Sequence, residues 1–203
     1  ANVSAHYVMQ HLVAAAQAHR LAGRGVVLTL ESGVLDDLLA RLIQHQLDVV
    51  LANETVPSNV NRPLHCHFLG SQAISFVGSA SVWASRSLRF PEQLDGLDIA
   101  LPGPRSALRA QFDALCAAAK VSPRLRAEVD DMAMLRLIAR DSGWVTVLPE
   151  VVVQDELQSG ALVCVAQSEL LQERFYAITT PRRHRIELLE RLLSAPSETA
   201  LVL

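Results

Sequence analysis

The 203 residues carry a net charge of −3, half of them are apolar, and aromatics make up only 4%. A chain of this length buries a real core as one large domain or two small lobes. The slightly acidic balance implies no broad basic surface, so nucleic-acid binding by this chain alone is not expected. No apolar run approaches the roughly 20 residues needed to span a bilayer, and no signal-peptide architecture is expected. The start at Ala1 without Met, running at once into helix-forming residues, gives the expectation of an excised or processed fragment.

Val26-Val-Leu-Thr-Leu30 is a short β-rich run and predicts the first clear strand. Beyond Glu31-Ser-Gly33, the residues Leu35, Leu38, Leu39, Leu42 and Ile43 follow helical spacing and predict one apolar face. Asp36 and Asp37 suit the first turn of that helix, and Asp37 is placed to meet Arg41 one turn later. Leu47-Asp-Val-Val-Leu-Ala52 then reads as a buried strand, completing an expected β-α-β unit with parallel strands. His65-Cys-His67 reads as strand leading into Phe68 and Leu69.

Asp98-Ile-Ala-Leu101 predicts a strand, and Pro102-Gly-Pro-Arg-Ser106 a turn into a helix with Leu108, Phe112, Leu115 and Ala119 on its apolar face. Val121-Ser-Pro-Arg124 stops that helix, because proline cannot continue it. Glu128-Val-Asp-Asp131 is read as opening a further helix that ends near Asp141-Ser-Gly143, with a left-handed glycine cap. Strands follow at Trp144–Leu148, Ala161–Val165 and Phe175–Thr179, with a short helix after Pro149 and a last helix marked by Ile186, Leu189, Leu192 and Leu193. Strands alternating with helices throughout mean an α/β protein with mixed, mostly parallel sheets, arranged as two Rossmann-like lobes with a cleft between them.

Cys66, Cys116 and Cys164 are odd in number and widely spaced, with no Cys-x-x-Cys pair. That gives neither a disulfide framework nor zinc-ligand spacing, so each is expected to fill core space in a reducing cytosol. His65 and His67 share one face of a strand, which suggests a metal pair, but no third ligand lies nearby in sequence; strand residues are the plainer reading. Gly-x-Ser-x-Gly, Walker-type loops, Gly-x-Gly-x-x-Gly and His-Glu-x-x-His are all missing, and no spacing joins Ser, His and Asp into a triad. An enzyme, a cofactor and a metal site are therefore not expected.

The order of elements, with the phrases Leu35–Leu51 and Val129–Pro149, resembles the effector-binding domain of LysR-type transcription regulators. Leu101-Pro-Gly-Pro-Arg-Ser-Ala-Leu108, Glu128-Val-Asp-Asp131 and Glu173-Arg-Phe-Tyr-Ala-Ile178 resemble more closely the subgroup containing the sodium/proton antiporter gene activator, NhaR. The resemblance covers nearly the whole chain. It implies a periplasmic-binding-protein-like (type 2) fold with discontinuous lobes: lobe I at 1–72 and 176–203, lobe II at 73–175. It also implies a small-molecule or ion effector, a cytoplasmic homodimer (a tetramer in the full-length protein) and no membrane. The dimer surface would be the helix near His6 to His19 and the strand Val26–Leu30. DNA binding would belong to a winged helix-turn-helix that this chain lacks.

Helix starts that follow strands offer unpaired N–H groups and a partial positive charge, which suit anions. Four segments fit: Asn2-Val-Ser4, Glu31-Ser-Gly33, Pro102–Ser106 and Asp130-Asp131. Ser4 and Ser32 add hydroxyls, and Arg105 can clamp a carboxylate or phosphate. Together with the resemblance, these segments give the expected effector contacts: Ser4, Ala5, Ser32, Gly33, Asn53, Glu54, Pro104, Arg105, Ser106, Asp130, Asp131 and Thr146. The alternative is that Ser4, Ser32 and Asp130 merely cap helices and that Arg105 is solvated. Asp130 and Asp131, with Glu31 and Glu54, are also oxygen ligands in kind for a hard cation, or partners for an amine. Arg182-Arg-His-Arg185 reads as a solvated turn. The competing function is a periplasmic-type solute-binding protein, which shares the two-lobe plan.

Overall fold

The computed structural model describes residues 13, 16–17, 25, 27–56 and 63–181. The described residues up to Ser71, with those from Arg174 onward, form one unit, and Gln72–Glu173 form a second. Both boundaries fall inside strands, so the chain leaves and re-enters the first unit along extended backbone. Ser4 and Ala5, nearly all of the expected helix at 6–19, the basic turn at 182–185 and the last helix lie outside the described residues.

In the first unit, helix α1 (Leu35–Ile43) buries Leu39 and Leu42, which pack with Val50 and Ile178. Asp36 and Asp37 sit in its first turn and Arg41 in its last, each at the end where the helix dipole favours its charge. Arg41 does not meet Asp37; its guanidinium pairs with Glu31 at 2.7 Å. His45 takes φ +60°, and the amides of His45 and Gln46 return to the carbonyls of Leu42 and Arg41, closing the helix in a left-handed cap. Strand β1 (Val50–Ala52) then pairs antiparallel with the end of the last strand, Val50 opposite Ile178.

Among the described residues, no strand forms over 27–30, within the run expected as the strand Val26–Leu30. Val27–Leu30 carry no strand pairing, and Val27 and Leu30 are 93% and 60% exposed. The parallel β-α-β unit is accordingly absent among the described residues, and β1 takes its partner from the returning chain. β-branched residues favour a strand only where a neighbour supplies the ladder and packing.

The second unit begins in the later half of β2 (His65–Ser79). It continues through α2 (Ala80–Trp83), a 3-10 turn at Glu92–Leu94, β3 (Asp98–Pro102) and α3 (Ala107–Ala119). Next come β4 (Arg124–Val129), α4 (Met132–Asp141), β5 (Val145–Pro149), a 3-10 turn at Glu150–Val152 and α5 (Gln154–Ser159). It ends in the first part of β6 (Leu162–Thr179). β5 has β3 parallel on one side, with β4 parallel beyond it, and β2 antiparallel on the other. The fold is thus α/β with a mixed sheet. β5 is buried at every position, because Val145 and Val147 pack with Phe76, Phe112 and Leu94 while Leu148 packs with Leu135, Ala139 and Leu162. Burial on both faces is why such a strand reads as an unbroken apolar run. Each large side chain buried this way contributes roughly 1.5–3 kcal/mol.

Four further readings change. Glu128 and Val129 do not open a helix but end β4, and Asp131 is the cap of α4. That helix closes on Ser142 rather than on a left-handed glycine, with the Ser142 hydroxyl donating to Ile138 O at 2.6 Å. The runs at Ala161–Val165 and Phe175–Thr179 are two ends of one 18-residue strand. Of the cysteines only Cys116 fills core space, and burial pushes its thiol up to about 11; Cys66 and Cys164 are exposed.

Candidate functional site

Because β3, β4 and β5 run parallel, their carboxyl ends at Pro102, Val129 and Pro149 lie at one edge of the second unit. In open α/β sheets ligands are held beyond that edge. Pro104, Arg105 and Ser106 follow β3 directly, and Asp130 and Asp131 follow β4. The register pairs Pro102 with Val129, so Gly103 falls beside Asp130, and a Cβ built on Gly103 would collide with the Asp130 carboxylate. Two segments chosen separately from the sequence are thereby brought together.

The turn after β3 is tied by the Ser106 amide donating to Gly103 O at 3.0 Å. Ser106 occupies the capping position of α3 with extended backbone, yet its hydroxyl makes no capping bond. The Ser106 hydroxyl therefore does not cover the first-turn amides of α3. At α4 the cap is Asp131, which accepts from the Met134 amide at 2.9 Å; Asp130 does not fill that role. Arg105 is exposed and makes no ion pair among the described residues. Thr146 is fully buried between Val77 and Ala100, and its hydroxyl has no partner among the described residues.

Sequence reasoning missed Arg109, the arginine that does organise this edge. Its Nη1 donates to Glu128 Oε2 at 2.8 Å and to Pro102 O at 3.3 Å, and its Nε to Asp113 at 2.9 Å. The Arg109–Asp113 spacing on α3 was the visible signal. It also missed Glu150, which follows β5 as Asp130 follows β4 and accepts from Gln167 Nε2 at 3.1 Å. The rule applied at Gly103 and Asp130, to inspect the residue after each parallel strand, would have found it.

In the first unit Ser32 and Gly33 are exposed just ahead of α1. The capping position there is held by Val34, without a side-chain bond, so Ser32 does not cap. Glu31 is held below the usual carboxylate range by its hydrogen bond and ion pair with Arg41. Asn53 and Glu54 follow β1, half-buried and exposed respectively. His65 and His67 are strand residues 6.3 Å apart between ring centroids, and His67 Nε2 lies 3.3 Å from Thr179 Oγ1. Burial, and then the neighbouring His65, push His67 below its ordinary value. Among the described residues no three His, Cys, Asp or Glu side chains are grouped to hold a metal ion, and no helix is long and apolar enough to cross a membrane.

A discontinuous pair of α/β units with a mixed sheet, and polar turns gathered beyond parallel strand ends, defines a periplasmic-binding-protein-like (type 2) fold. Residues 2–199 match the LysR substrate binding domain model; the chain belongs to that family, as the effector-binding regulatory domain of a LysR-type regulator. Among solved structures it is similar to the regulatory domain of HypT from Salmonella typhimurium in its apo form. They share 18% identity over 84% of this chain and 82% of that one, with a TM-score of 0.64. It is also similar to DarR of Vibrio fischeri, solved with DNA, at 15% identity and TM-score 0.74, covering 93% of this chain and 63% of that one. A third is the CcmR regulatory domain of Synechocystis PCC6803 in complex with 2-PG, at 12% identity and TM-score 0.70, covering 93% and 92%. The chain thus spans under two thirds of DarR. No curated protein sequence matches it significantly.

Proposed function

We propose that the second unit holds part of a small effector beyond the carboxyl ends of β3 and β4, with Arg105, Ser106 and the first-turn amides of α3 as donors. Asp130 and Asp131 flank that surface as acceptors. The observation that carries this reading is the approach of Asp130 to Gly103, which merges two polar turns into one surface where open sheets hold ligands. Ser4, Ala5, Ser32, Gly33, Asn53 and Glu54 are the contacts proposed for the first unit, and Pro104 shapes the second-unit turn. Thr146 has no exposed surface and pairs with Ala100 of β3, so it is proposed as a support of the strands and not as a contact.

Binding then biases an equilibrium between arrangements of the two units, which a DNA-binding region outside this chain reads out. DarR, solved with DNA, and CcmR, solved with 2-PG, support a whole protein that answers a small ligand on DNA; we assign it to the cytoplasm and give it no catalytic step. The chain is proposed to dimerise through the segments near His6–His19 and Val26–Leu30. Val27, Leu30 and Val34, at 93%, 60% and 62% exposure, support an apolar contact there. The nearer likeness to the antiporter activator rests on the quoted phrases alone, and the comparisons support the family without that subgroup.

The test is a thermal-shift screen of small acids, amines and alkali-metal salts, in which a ligand of the folded state raises the midpoint with concentration. For any anionic hit, Arg105→Ala should weaken binding by about 1–3 kcal/mol, the range for a hydrogen bond to a charged group. Unchanged affinity removes Arg105 from the site. Small-angle scattering at tens of micromolar should give a dimer mass, and a monomer would contradict the interface.

A further inference from the structure

Within the second unit, β4 pairs with β3 alone among the described residues, and the ladder between them is interrupted by a register shift at Ile99 and Ala100. A one-sided ladder with an irregularity leaves an edge strand weakly held. Side chains compensate at both ends. At the amino end Asp98 takes Arg124 at 2.8 Å and Arg126 at 3.0 Å. At the carboxyl end the counterpart is Arg109, whose guanidinium reaches the last carbonyl of β3, the Glu128 carboxylate of β4 and Asp113 of its own helix. The Arg109 side chain is only 15% exposed, although the carboxylates of Glu128 and Asp113 are 43% and 58% exposed, so the bond to Pro102 O is the best shielded of the three.

Resting on the effector site described under Proposed function, we propose that Arg109 is its positioning residue. It clamps the carboxyl ends of β3 and β4 together, so that Arg105–Ser106 and Asp130–Asp131 meet an effector as one fixed surface. Arg109 itself need not touch the ligand. The geometry suits the task because a guanidinium offers several donors in a planar fork, and three acceptors on three elements are engaged at once. A lysine ammonium, a point charge on a flexible stem, cannot hold that fork.

Amide hydrogen exchange on the 203-residue chain tests the clamp without any ligand, so its result is independent of the outcome of an effector screen. In Arg109→Ala, exchange at Gly103, Arg105, Ser106 and 130–134 should rise about tenfold or more, as local opening becomes easier. Exchange at 145–148 in β5 should stay at the parent rate, and Arg109→Lys should restore the two turns only in part. Glu128→Gln, a change at a half-exposed surface position that leaves Arg109 in place, should show the same pattern at about a third of the size or more, and it decides the matter if Arg109→Ala does not fold. Parent-like exchange at both turns would overturn the proposal. Uniform acceleration across the second unit would also overturn it, since that is the mark of a residue that supports the fold as a whole.

Discussion

Gly103 and Asp130 lie against each other beyond the ends of adjacent parallel strands, so closely that a single added Cβ on the glycine would collide with the aspartate carboxylate. The backbone at Gly103 does not lie in the left-handed region, so the demand for glycine is one of space. Gly103→Ala should swing the exposed Asp130 carboxylate aside and lower stability by no more than about 1 kcal/mol, because the atoms it meets are the end of a surface side chain. That corresponds to a fall in melting temperature of roughly 2–4 °C per kcal/mol for a chain of this size. Adding Asp130→Ala to Gly103→Ala should recover most of the loss, because the collision is with that carboxylate. Strict additivity of the two changes would show that the two residues are not in contact.

A second glycine answers the same test elsewhere. At Gly78 an added Cβ would run into the indole of Trp83, whose Nε1 donates to Gly143 O at 3.2 Å. Gly78→Ala should displace the ring, break that bond and cost about 1–3 kcal/mol. Tryptophan fluorescence should shift to longer wavelength before global unfolding. An unchanged spectrum with unchanged stability would show that the ring moves freely.

Lys120 closes α3 at φ +56°, with the amides of Lys120 and Val121 returning to the carbonyls of Ala117 and Cys116. A Cβ in that conformation costs about 1–2 kcal/mol, and the cationic side chain at a helix end recovers only a few tenths. Lys120→Gly is therefore expected to raise stability by about 0.5–1 kcal/mol, measured by urea denaturation, and Lys120→Ala to lower it slightly. A destabilising glycine would mean that the lysine side chain contributes more than its charge at the helix end.

His67 gives a pH dependence whose sign can be worked out. Burial first, then His65, lowers its folded value below the ordinary 6.5. As pH falls below about 6.5, the unfolded chain takes up a proton that the folded chain still resists, so stability falls across the interval down to the folded value. The urea midpoint should be lower at pH 5.5 than at pH 7.5, and His67→Gln should flatten that difference. An equal slope in the variant would assign the dependence to other groups.

The segment from Asp98 to Ala119 was legible because three independent signals agree there. A short apolar strand, a Pro-Gly-Pro turn and a helical apolar period all point the same way. β4 was not, since Arg124-Leu-Arg-Ala-Glu-Val129 is an edge strand whose charged residues face solvent, and its period-two alternation lacks an apolar face long enough to stand out. The single strand β6 was read as two because the polar runs Gln167-Ser-Glu169 and Gln172-Glu-Arg174 break its apolar pattern around Leu170 and Leu171; its continuity comes from pairing with neighbours that local sequence does not reveal. The turn after β3 was legible because polar, helix-starting residues directly succeed a strand visible in the sequence, whereas Asp130-Asp131 stood out only as a helix start. Arg109 was not legible, because its role depends on Glu128, nineteen positions away.

An effector meeting the turns at 103–106 and 130–131 is the central claim, and amide chemical-shift mapping on the intact chain reads this directly. Titration with a compound that stabilises the chain should move the amides of Gly103, Arg105, Ser106 and 130–134 along one saturating curve. Shifts confined to other surfaces, or a stabilising compound that leaves the Gly103, Arg105 and Ser106 amides unmoved at saturation, would contradict the claim.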